Sequence, residues 1–386
     1  MRRVLLAAIV VAVGLLAMAT TGLSPATARP VPIGTQVELA YGLSADHPWL
    51  TDAGNRQRTG ASPFRVPSEP PRRVFEFGVG AGRLWAPSLS REGLCLVATG
   101  AGLVGIDLGG RRRFALPLGL ASGTPSITPE GDTVSVVRGA DLARVSAAGE
   151  LIVEREVAGG LLGSPLVLDD GSIVVVDRSG RLMRLDERFE PLRVHALDLR
   201  VALEPALTPS GEVLVAAGPW LRRFDATLEP GPSALLASAI VAGPVVAADG
   251  SAWVITADAE LVALDPALTV RFRTSLSTQR LVAPALAVAA DGSVRVSSLN
   301  TGLQAFSAAG EPLFALPDLH LARGITVDAD GIVVAVDETR QLLAVRADGT
   351  VLWSVAVGML TWAAPVLGRD STLYLVGRSG SFAAWR

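Results

Sequence analysis

The stretch that decides the fold is residues 281–310, LVAPALAVAADGSVRVSSLNTGLQAFSAAG. It contains, in order, a small residue before proline (Ala283-Pro284), an acid before glycine (Asp291-Gly292), a short β-rich run (Val294–Val296) and the pair Gly302-Leu303. The same order of features returns about every 40 residues along the chain. A fixed period of this length is typical of repeat folds, in which each copy is one supersecondary unit.

Eight copies align on the proline position. The steps between successive positions are 38, 40, 40, 39, 40, 41 and 40 residues, and the positions are Pro87, Pro125, Pro165, Pro205, Pro244, Pro284, Ile325 and Pro365. Most copies follow this position with an acid-glycine pair, a strong hairpin signal because glycine accepts the positive φ of tight turns. A β-rich run follows, and a second one about ten residues later. Each copy therefore holds about four short strands, the content of one propeller blade.

The sequence thus predicts an all-β protein, an eight-bladed β-propeller of four-stranded antiparallel blades over residues 72–386. The last copy stops at Trp385-Arg386, just after its third strand. Phe75 lies 12 residues before Pro87, and in other copies an outer aromatic residue precedes the proline position by 11 or 12 residues. We therefore expect Arg73–Phe77, an N-terminal strand, to complete blade eight, which closes the ring and removes free sheet edges.

These blades resemble the pyrroloquinoline-quinone-like (PQQ-like) propeller repeats, which read small-Pro, Asp-Gly, Leu-x-Ala-x-Asp, Gly and Trp. The copy most similar to that pattern runs from Leu342-Leu343-Ala344 through Asp348-Gly349 to Trp353. The segment Trp49 to Gly60, with Gly54-Asn55 and Arg58-Thr59-Gly60, is similar to the lead-in often found before such propellers. The resemblance implies that the alanine packs under the terminal tryptophan and docks neighbouring blades.

The chain departs from that pattern in three consecutive blades. The alanine position is small in five blades, at Gly105, Ala263, Ala305, Ala344 and Ala384, but it is arginine in blades two to four, at Arg144, Arg184 and Arg223. The same three blades lack the outer aromatic residue and carry Val153, Arg193 and Pro232 instead. A large residue in a small slot requires loss of the ring, because protein interiors are close-packed. Other contacts are therefore expected to dock blades two to four.

The N-terminal residues have the composition of a targeting segment. Arg2-Arg3, the apolar run Val4–Ala19 and Ala26-Thr27-Ala28 predict a secretory signal peptide over residues 1–28, with a small-x-small cleavage site. An uncleaved N-terminal anchor is the alternative. Residues 29–71 are predicted to be an extended lead-in, partly draped on the propeller. The mature protein is expected in the periplasm, secreted or at the cell surface, with no transmembrane domain after cleavage.

Composition narrows the function classes. The chain has 386 residues, with 34 basic and 37 acidic side chains and a net charge of −3. The protein therefore lacks the net positive charge that would attract it to nucleic acid. Its single cysteine, Cys95, excludes an intramolecular disulfide and is expected to be a buried thiol. PQQ-dependent dehydrogenases resemble these repeats but usually carry an adjacent cysteine pair beside the cofactor. We therefore predict no catalytic, cofactor-binding or metal-binding residues and no cofactor.

Two charged sets have a functional and a structural interpretation. Acids precede the turn glycine or its equivalent at Glu92, Glu130, Asp170, Asp249, Asp291, Asp330 and Asp370. They would form a cation-attracting rim, or they are simply the residues that such turns prefer. The arginines at 144, 184 and 223 are candidate partner-binding residues for an acidic protein, or they form ion pairs with neighbouring carboxylates.

The functional prediction is a non-enzymatic scaffold whose propeller binds another envelope protein or complex. Within the PQQ-like family the chain resembles the BamB-like, eight-bladed scaffolds, which implies a role in outer-membrane protein assembly. The competing prediction is a small-molecule-binding or quinoprotein-like propeller. Fold alone does not decide between them, because propellers host many unrelated functions.

Overall fold

The computed structural model describes residues 49–80, 84–157, 159–199, 203–321 and 324–386. Eight antiparallel four-stranded sheets follow one another along the chain, and the predicted eight-bladed propeller is confirmed. Within blades one to seven the strands pair in sequence order from the inside outwards. Among the described residues, no helix is long and apolar enough to cross a membrane.

The first four blades consist of β2 (Ser88–Leu89), β3 (Leu94–Thr99), β4 (Gly102–Asp107) and β5 (Arg112–Leu116); β6 (Ala121–Ile127), β7 (Thr133–Val137), β8 (Asp141–Val145) and β9 (Leu151–Glu156); β10 (Leu161–Val167), β11 (Ile173–Asp177), β12 (Arg181–Leu185) and β13 (Pro191–Ala196); and β14 (Ala206–Leu207), β15 (Val213–Ala217), β16 (Trp220–Phe224) and β17 (Pro230–Leu235).

Blades five to seven consist of β18 (Ile240–Val246), β19 (Ala252–Thr256), β20 (Glu260–Leu264) and β21 (Val270–Ser275); β22 (Ala285–Val288), β23 (Val294–Ser298), β24 (Gly302–Phe306) and β25 (Pro312–Leu316); and β26 (Thr326–Val327), β27 (Val333–Val336), β28 (Gln341–Val345) and β29 (Val351–Ala356). Blade eight consists of β30 (Val366–Leu367), β31 (Leu373–Val376), β32 (Ser381–Trp385) and the N-terminal strand β1 (Arg73–Gly78).

The predicted ring closure is confirmed in register. Strand β1 pairs antiparallel with β32, and Phe75 lies opposite Ala384. The same pairing of an outer ring with a small residue recurs at Gly105 and Phe114 and at Ala344 and Trp353. Strand β1 therefore supplies the outer ring of blade eight as well as its outer strand.

The outer rings dock each blade onto the next. The ring of Phe114 in blade one lies on Gly149, in the last hairpin turn of blade two, where an added Cβ would come within 2.3 Å of the ring. Phe75, Phe272 and Phe314 lie in the same way on Gly110, Gly310 and Gly349. Glycine is required at these turns because its φ is positive and because the neighbouring ring occupies the space of a side chain.

Blades two to four reverse this arrangement. The turn positions that face them in the next blades hold Phe189, Leu228 and Leu268 in place of glycine, all with φ between 62° and 64°. Each side chain is buried in a core cluster that spans the boundary between two blades; the cluster of Phe189, for example, contains Val134 of blade two and Val175 of blade three. At these three boundaries the large apolar side chain therefore comes from a turn of the following blade, whereas at the other boundaries it comes from the outermost strand of the preceding blade. This satisfies the expectation that other contacts dock these blades.

Residues 49–62 of the lead-in, named here the axial hoop, lie inside the ring and contact the blades in order. Backbone carbonyls of the hoop accept hydrogen bonds of 2.7–3.0 Å from the innermost strands or strand ends of six blades, as Trp49 from Leu89, Leu50 from Ile127, Arg56 from Leu207, Gln57 from Val246, Thr59 from Val288 and Gly60 from Val327. Arg56 pairs with Asp169 of blade three, and the Ser62 hydroxyl donates to Leu367 O of blade eight.

The hoop is buried at the axis of the propeller, a position that the predicted extended lead-in does not specify. Its carbonyls satisfy amides on the inner edges of the sheets, which would otherwise lack partners away from water. Gly60 has φ +65°, and an added Cβ would lie 2.8 Å from Ala287 Cβ, so no larger residue fits there. The predicted signal peptide and residues 29–48 lie outside the described residues.

Candidate functional site

The three candidate arginines lie in ion pairs within the protein. Arg144 Nε lies 2.8 Å from Asp132 Oδ2, the Arg184 guanidinium contacts Asp170, and Arg223 Nη1 lies 3.3 Å from Glu212 Oε2. Their side chains are only 11–15% exposed. Two of them reach the next blade: Arg144 lies 3.9 Å from Glu187, and Arg223 donates to the Pro266 carbonyl. That they bind a partner directly stays a prediction; each arginine is held by an ion pair within its own blade, and Arg144 and Arg223 also contact the next blade.

A groove on the outer rim lies around the Arg144–Glu187 pair, where blade two meets blade three. We name it the rim groove; its two adjoining cavities measure about 290 and 460 Å³ and are lined by Glu130, Asp132, Arg144, Ile152, Val153, Asp170, Gly171, Ser172, Asp186, Glu187, Arg188 and Leu192. Val153, which replaces the outer ring, lies in its wall. The groove therefore lies at one of the boundaries from which the outer aromatic residue is missing.

The rim groove presents carboxylates and apolar side chains to solvent. Five acids and two arginines line it, which leaves an excess of three negative charges. Glu130 and Glu187 have side chains 60% and 70% exposed, whereas Arg144 is nearly covered. Beside it, Leu151, Ile152, Leu192 and Val194 of the outermost strands β9 and β13 are 44–54% exposed. The chemistry of this surface suits a basic segment with apolar side chains.

The turn acids act locally in the structure. Asp170 Oδ1 accepts hydrogen bonds from both the amide and the hydroxyl of Ser172, and Asp249 and Asp291 bind Ser251 and Ser293 in the same way. These are the side-chain-to-backbone bonds that favour aspartate in tight turns. No group of three potential metal ligands occurs among the described residues. Cys95 is buried as expected, and burial raises the pKa of its thiol.

A second cavity lies on the axis and was not predicted. This axial cup has a volume of about 320 Å³; Asp52, Ala53 and Arg58 of the hoop line it together with Trp85, Ala86, Leu203, Glu204, Val241, Ala242, Gly243, Pro244, Val245, Pro284, Ala285, Leu286, Gly324, Ile325, Trp362, Ala363 and Ala364. The lining residues from the blades lie at or near the repeated proline positions. Because each of these positions starts an innermost strand, the repeat brings them together around one axis.

A closed polar network joins the hoop to blades two, three and four at this cup. Arg58 Nη1 lies 2.8 Å from Glu204 Oε2 and 3.8 Å from Asp52 Oδ2. Glu204 Oε1 accepts a 2.8 Å bond from the Ser164 amide, Ser164 Oγ accepts one from the Thr124 amide, and the Thr124 hydroxyl donates to Asp52 Oδ1. The network holds two carboxylates and one guanidinium at fixed positions facing an otherwise apolar cavity.

Glu204 has a strongly perturbed acidity. Burial raises its pKa, the Arg58 guanidinium opposes that change, and the nearby Asp52 carboxylate adds to it; the result is a pKa raised from the usual 4.5 to about 7. Desolvation and a like charge both disfavour the ionised carboxylate. Close to neutral pH this site therefore exchanges a proton between two states of similar population.

This raised pKa predicts a pH dependence of stability. An acid whose pKa is higher in the folded state stabilises the fold when protonated, so its contribution is complete below pH 4.5 and is lost as pH rises through about 7. We expect the free energy of unfolding of wild type to fall by about 1–3 kcal/mol over that range relative to Glu204→Gln, as the pKa difference implies. Urea denaturation at a series of pH values measures it. Parallel profiles for the two proteins would contradict the assignment.

The sequence carried one signal of this site that the repeat alignment makes visible. The residue before the proline position is alanine, threonine, serine or glycine in seven copies, at Ala86, Thr124, Ser164, Gly243, Ala283, Gly324 and Ala364. Glu204 is the exception in a slot that faces the axis. Asp52 and Arg58 belong to the lead-in, and their meeting with Glu204 depends on the path of the hoop.

The fold defines a class: an eight-bladed β-propeller of four-stranded antiparallel blades, similar in architecture to BamB. No family model matches the sequence, and no curated protein matches it. Among solved structures, BamB from Moraxella catarrhalis has a TM-score of 0.66 at 18% identity, over 82% of this chain and 99% of that one. Because the identity is low, the similarity establishes the fold alone.

Two further solved structures share the architecture. The computationally designed Ika8 protein matches with a TM-score of 0.66 at 14% identity, over 80% of this chain and 99% of that one. Virginiamycin B lyase from Staphylococcus aureus matches with a TM-score of 0.53 at 9% identity, over 69% of this chain and 94% of its own length. Similar folds therefore occur in a designed protein and in a lyase, so function must be argued from this chain's own surfaces.

Proposed function

We propose that the protein is a non-enzymatic binding platform outside the cytoplasm, which holds another envelope protein through the rim groove between blades two and three. The observation that carries the proposal is the composition of that groove: an excess of carboxylates beside four half-exposed apolar side chains. Contiguous exposed apolar surface rimmed by polar residues is typical of protein-binding sites. The partner segment that fits is basic and apolar, because its cations would face Glu130 and Glu187.

Rigidity supports the platform. The hoop contacts all eight blades, and strand β1 closes the ring, so the rim is held by a single closed body. A binding surface held by a rigid scaffold loses little conformational entropy when a partner binds. The similarity to BamB, together with the signal peptide that the sequence predicts, extends the proposal to envelope or outer-membrane protein assembly.

The test is cross-linking of the tagged protein in envelopes of its native host, followed by affinity capture and quantitative mass spectrometry. The rim variant Ile152→Arg/Leu192→Arg places cations in the groove and is expected to lose a defined set of captured proteins. The matched control is Leu313→Arg/Val351→Arg, which changes two equally exposed apolar residues on blades six and seven, where the outer rings are retained.

Three outcomes would count against the proposal. One is a capture profile that the rim variant leaves unchanged, and another is equal loss in both variants. The third is saturable binding of pyrroloquinoline quinone with Ca²⁺, which would favour the quinoprotein-like class. The same captured material reports the N-terminus, which we expect at Arg29 if the signal peptide is removed after Ala28.

A further inference from the structure

We propose that the axial cup binds a small organic monocation, a primary ammonium group on a short apolar body. This site is separate from the rim groove, and the inference goes beyond the platform function. It is argued from the charge, the free acceptors and the walls of the cup.

The charge of the cup is one cation short of balance. Its charged lining residues, among those the structure describes, are Asp52, Glu204 and Arg58, two carboxylates against one guanidinium. The Asp52 side chain is 40% exposed, whereas Arg58 is 6% exposed and donates to the Pro205 and Ser164 carbonyls as well as to Glu204. Among the described residues, the charged side chains that line the cup therefore carry a net negative charge when Glu204 is ionised.

The available acceptor atoms suit an ammonium group better than a metal ion. Ser164 and Arg58 occupy the two oxygens of Glu204, and Thr124 donates to Asp52 Oδ1. Asp52 Oδ2 lies 3.8 Å from Arg58, and the Asp52 carboxylate also accepts a hydrogen bond from Glu204 when that carboxyl is protonated. An ammonium group that displaces the Glu204 proton can donate to this acceptor in its place. A hard divalent cation needs about six oxygen ligands. An ammonium group needs one or two acceptors and gains a charge-assisted hydrogen bond from each.

The walls of the cup supply the apolar part of the site. Apart from the three charged residues they consist of glycine, alanine, proline, branched aliphatic residues, and Trp85 and Trp362. A volume of about 320 Å³ is at the lower end of ligand pockets, which limits the occupant to a small molecule or a single side chain. Aromatic walls also favour cations through their negatively polarised faces, and Arg378 already lies over the ring of Trp362 in this way.

Proton exchange at Glu204 predicts a second measurable effect of ligand binding, the release of protons. The pKa of this carboxyl is raised to about 7 by burial and by Asp52, although Arg58 opposes that change, so part of the population carries a proton at neutral pH. A bound ammonium would take the place of that proton and favour the ionised carboxylate. Binding should therefore release a fraction of a proton near pH 7.

The experiment is isothermal titration of the full mature chain with n-butylammonium, 1-butanol and butyrate at about pH 7. We expect saturable binding of n-butylammonium in the millimolar range, as five non-hydrogen atoms permit, and at least about tenfold weaker binding of the alcohol and the anion. Titration in buffers of different ionisation enthalpy measures the proton released. Both Glu204→Gln and Asp52→Asn are expected to weaken binding about tenfold, and Glu204→Gln to abolish proton release.

Asp169→Asn is the matched control, because Asp169 pairs with the hoop residue Arg56 but does not line the cup. It should bind n-butylammonium as wild type does. Circular dichroism establishes that each variant is folded, and the two carboxamide variants test the same site independently. The proposal is overturned if n-butylammonium gives no saturable heat up to about 50 mM, if butanol binds equally well, or if neither carboxamide variant weakens binding.

A second arm identifies the source of the ammonium group. An acetylated and amidated Gly-Lys-Gly peptide presents the same group on the same four-carbon body. If it binds at least about tenfold more tightly than n-butylammonium, the cation is a lysine side chain of a protein; if not, it is a free amine.

Discussion

Phe189→Ala is expected to lower the free energy of unfolding by about 3–5 kcal/mol, the usual cost of truncating a buried phenylalanine. Phe189 is 1% exposed although it lies in a hairpin turn, and it packs in the core cluster that spans blades two and three. Its φ of +64° is unfavourable for a residue with a side chain, at a cost of about 1–3 kcal/mol. The chain tolerates that cost because the ring fills the space that an outer aromatic residue fills at other boundaries.

Guanidinium denaturation followed by circular dichroism measures the loss. Leu192→Ala, a truncation of a half-exposed residue in the same blade, is the control and should change stability by no more than about 0.5 kcal/mol. A loss below about 1 kcal/mol for Phe189→Ala would show that the ring does not dock blade three onto blade two.

The exchange of rings can also be reversed. Phe189→Gly alone should be destabilising, because it relieves the strained φ but removes the ring. Combining it with Val153→Phe and Arg144→Ala recreates the pattern of blades one and two, in which Gly105, Phe114 and Gly149 lie together. We expect the triple variant to regain at least about half of the stability lost by Phe189→Gly, and Arg144→Ala/Phe189→Gly to regain none, since only the triple variant fills the cavity.

The sequence predicts the number of blades and the closure of the ring because these follow from spacing. Phe75 keeps the distance to the proline position that the other outer rings keep, and the structure places it opposite Ala384. The exchange of large apolar side chains at the boundaries of blades two to four involves positions in two successive copies of the repeat. A comparison of positions within one copy therefore does not show it. Blades two to four lose the outer ring, whereas the compensating Phe189, Leu228 and Leu268 appear one blade later.

The axial hoop and its cup could not be predicted in the same way. The hoop is held mainly by its backbone carbonyls, and a carbonyl leaves no residue signature in a sequence. Gly60 and Arg58 are visible in the lead-in motif, but neither indicates which blade it meets. Glu204 in a small-residue slot was the only local signal. Its partners Asp52 and Arg58 lie about 150 residues earlier in the chain, and only the path of the hoop brings them close to Glu204.

Arg58→Met is expected to lower the free energy of unfolding by about 3–5 kcal/mol at about pH 8, because it removes one partner of a buried ion pair. The Arg58 guanidinium is 6% exposed, and Nε donates to the Pro205 carbonyl over 2.8 Å in addition to the bond with Glu204. Methionine fills a similar volume but removes the donor to that carbonyl and the cation beside Glu204 Oε2, which leaves the carboxylate with Ser164 as its donor. Arg65→Met, on an arginine 73% exposed in a surface pair, should cost no more than about 1 kcal/mol.

The loss should depend on pH, which distinguishes an unpaired charge from a cavity. At about pH 5 the Glu204 carboxyl of the variant is protonated, because burial and Asp52 raise its pKa and the opposing Arg58 is gone. Arg58→Met should therefore be less destabilising at about pH 5 than at about pH 8, by about 1–2 kcal/mol. Arg58→Met/Glu204→Gln should be independent of pH over this range and more stable than Arg58→Met at the higher pH. Equal losses at both pH values would mean that packing, and not the ion pair, anchors the hoop to blades three and four.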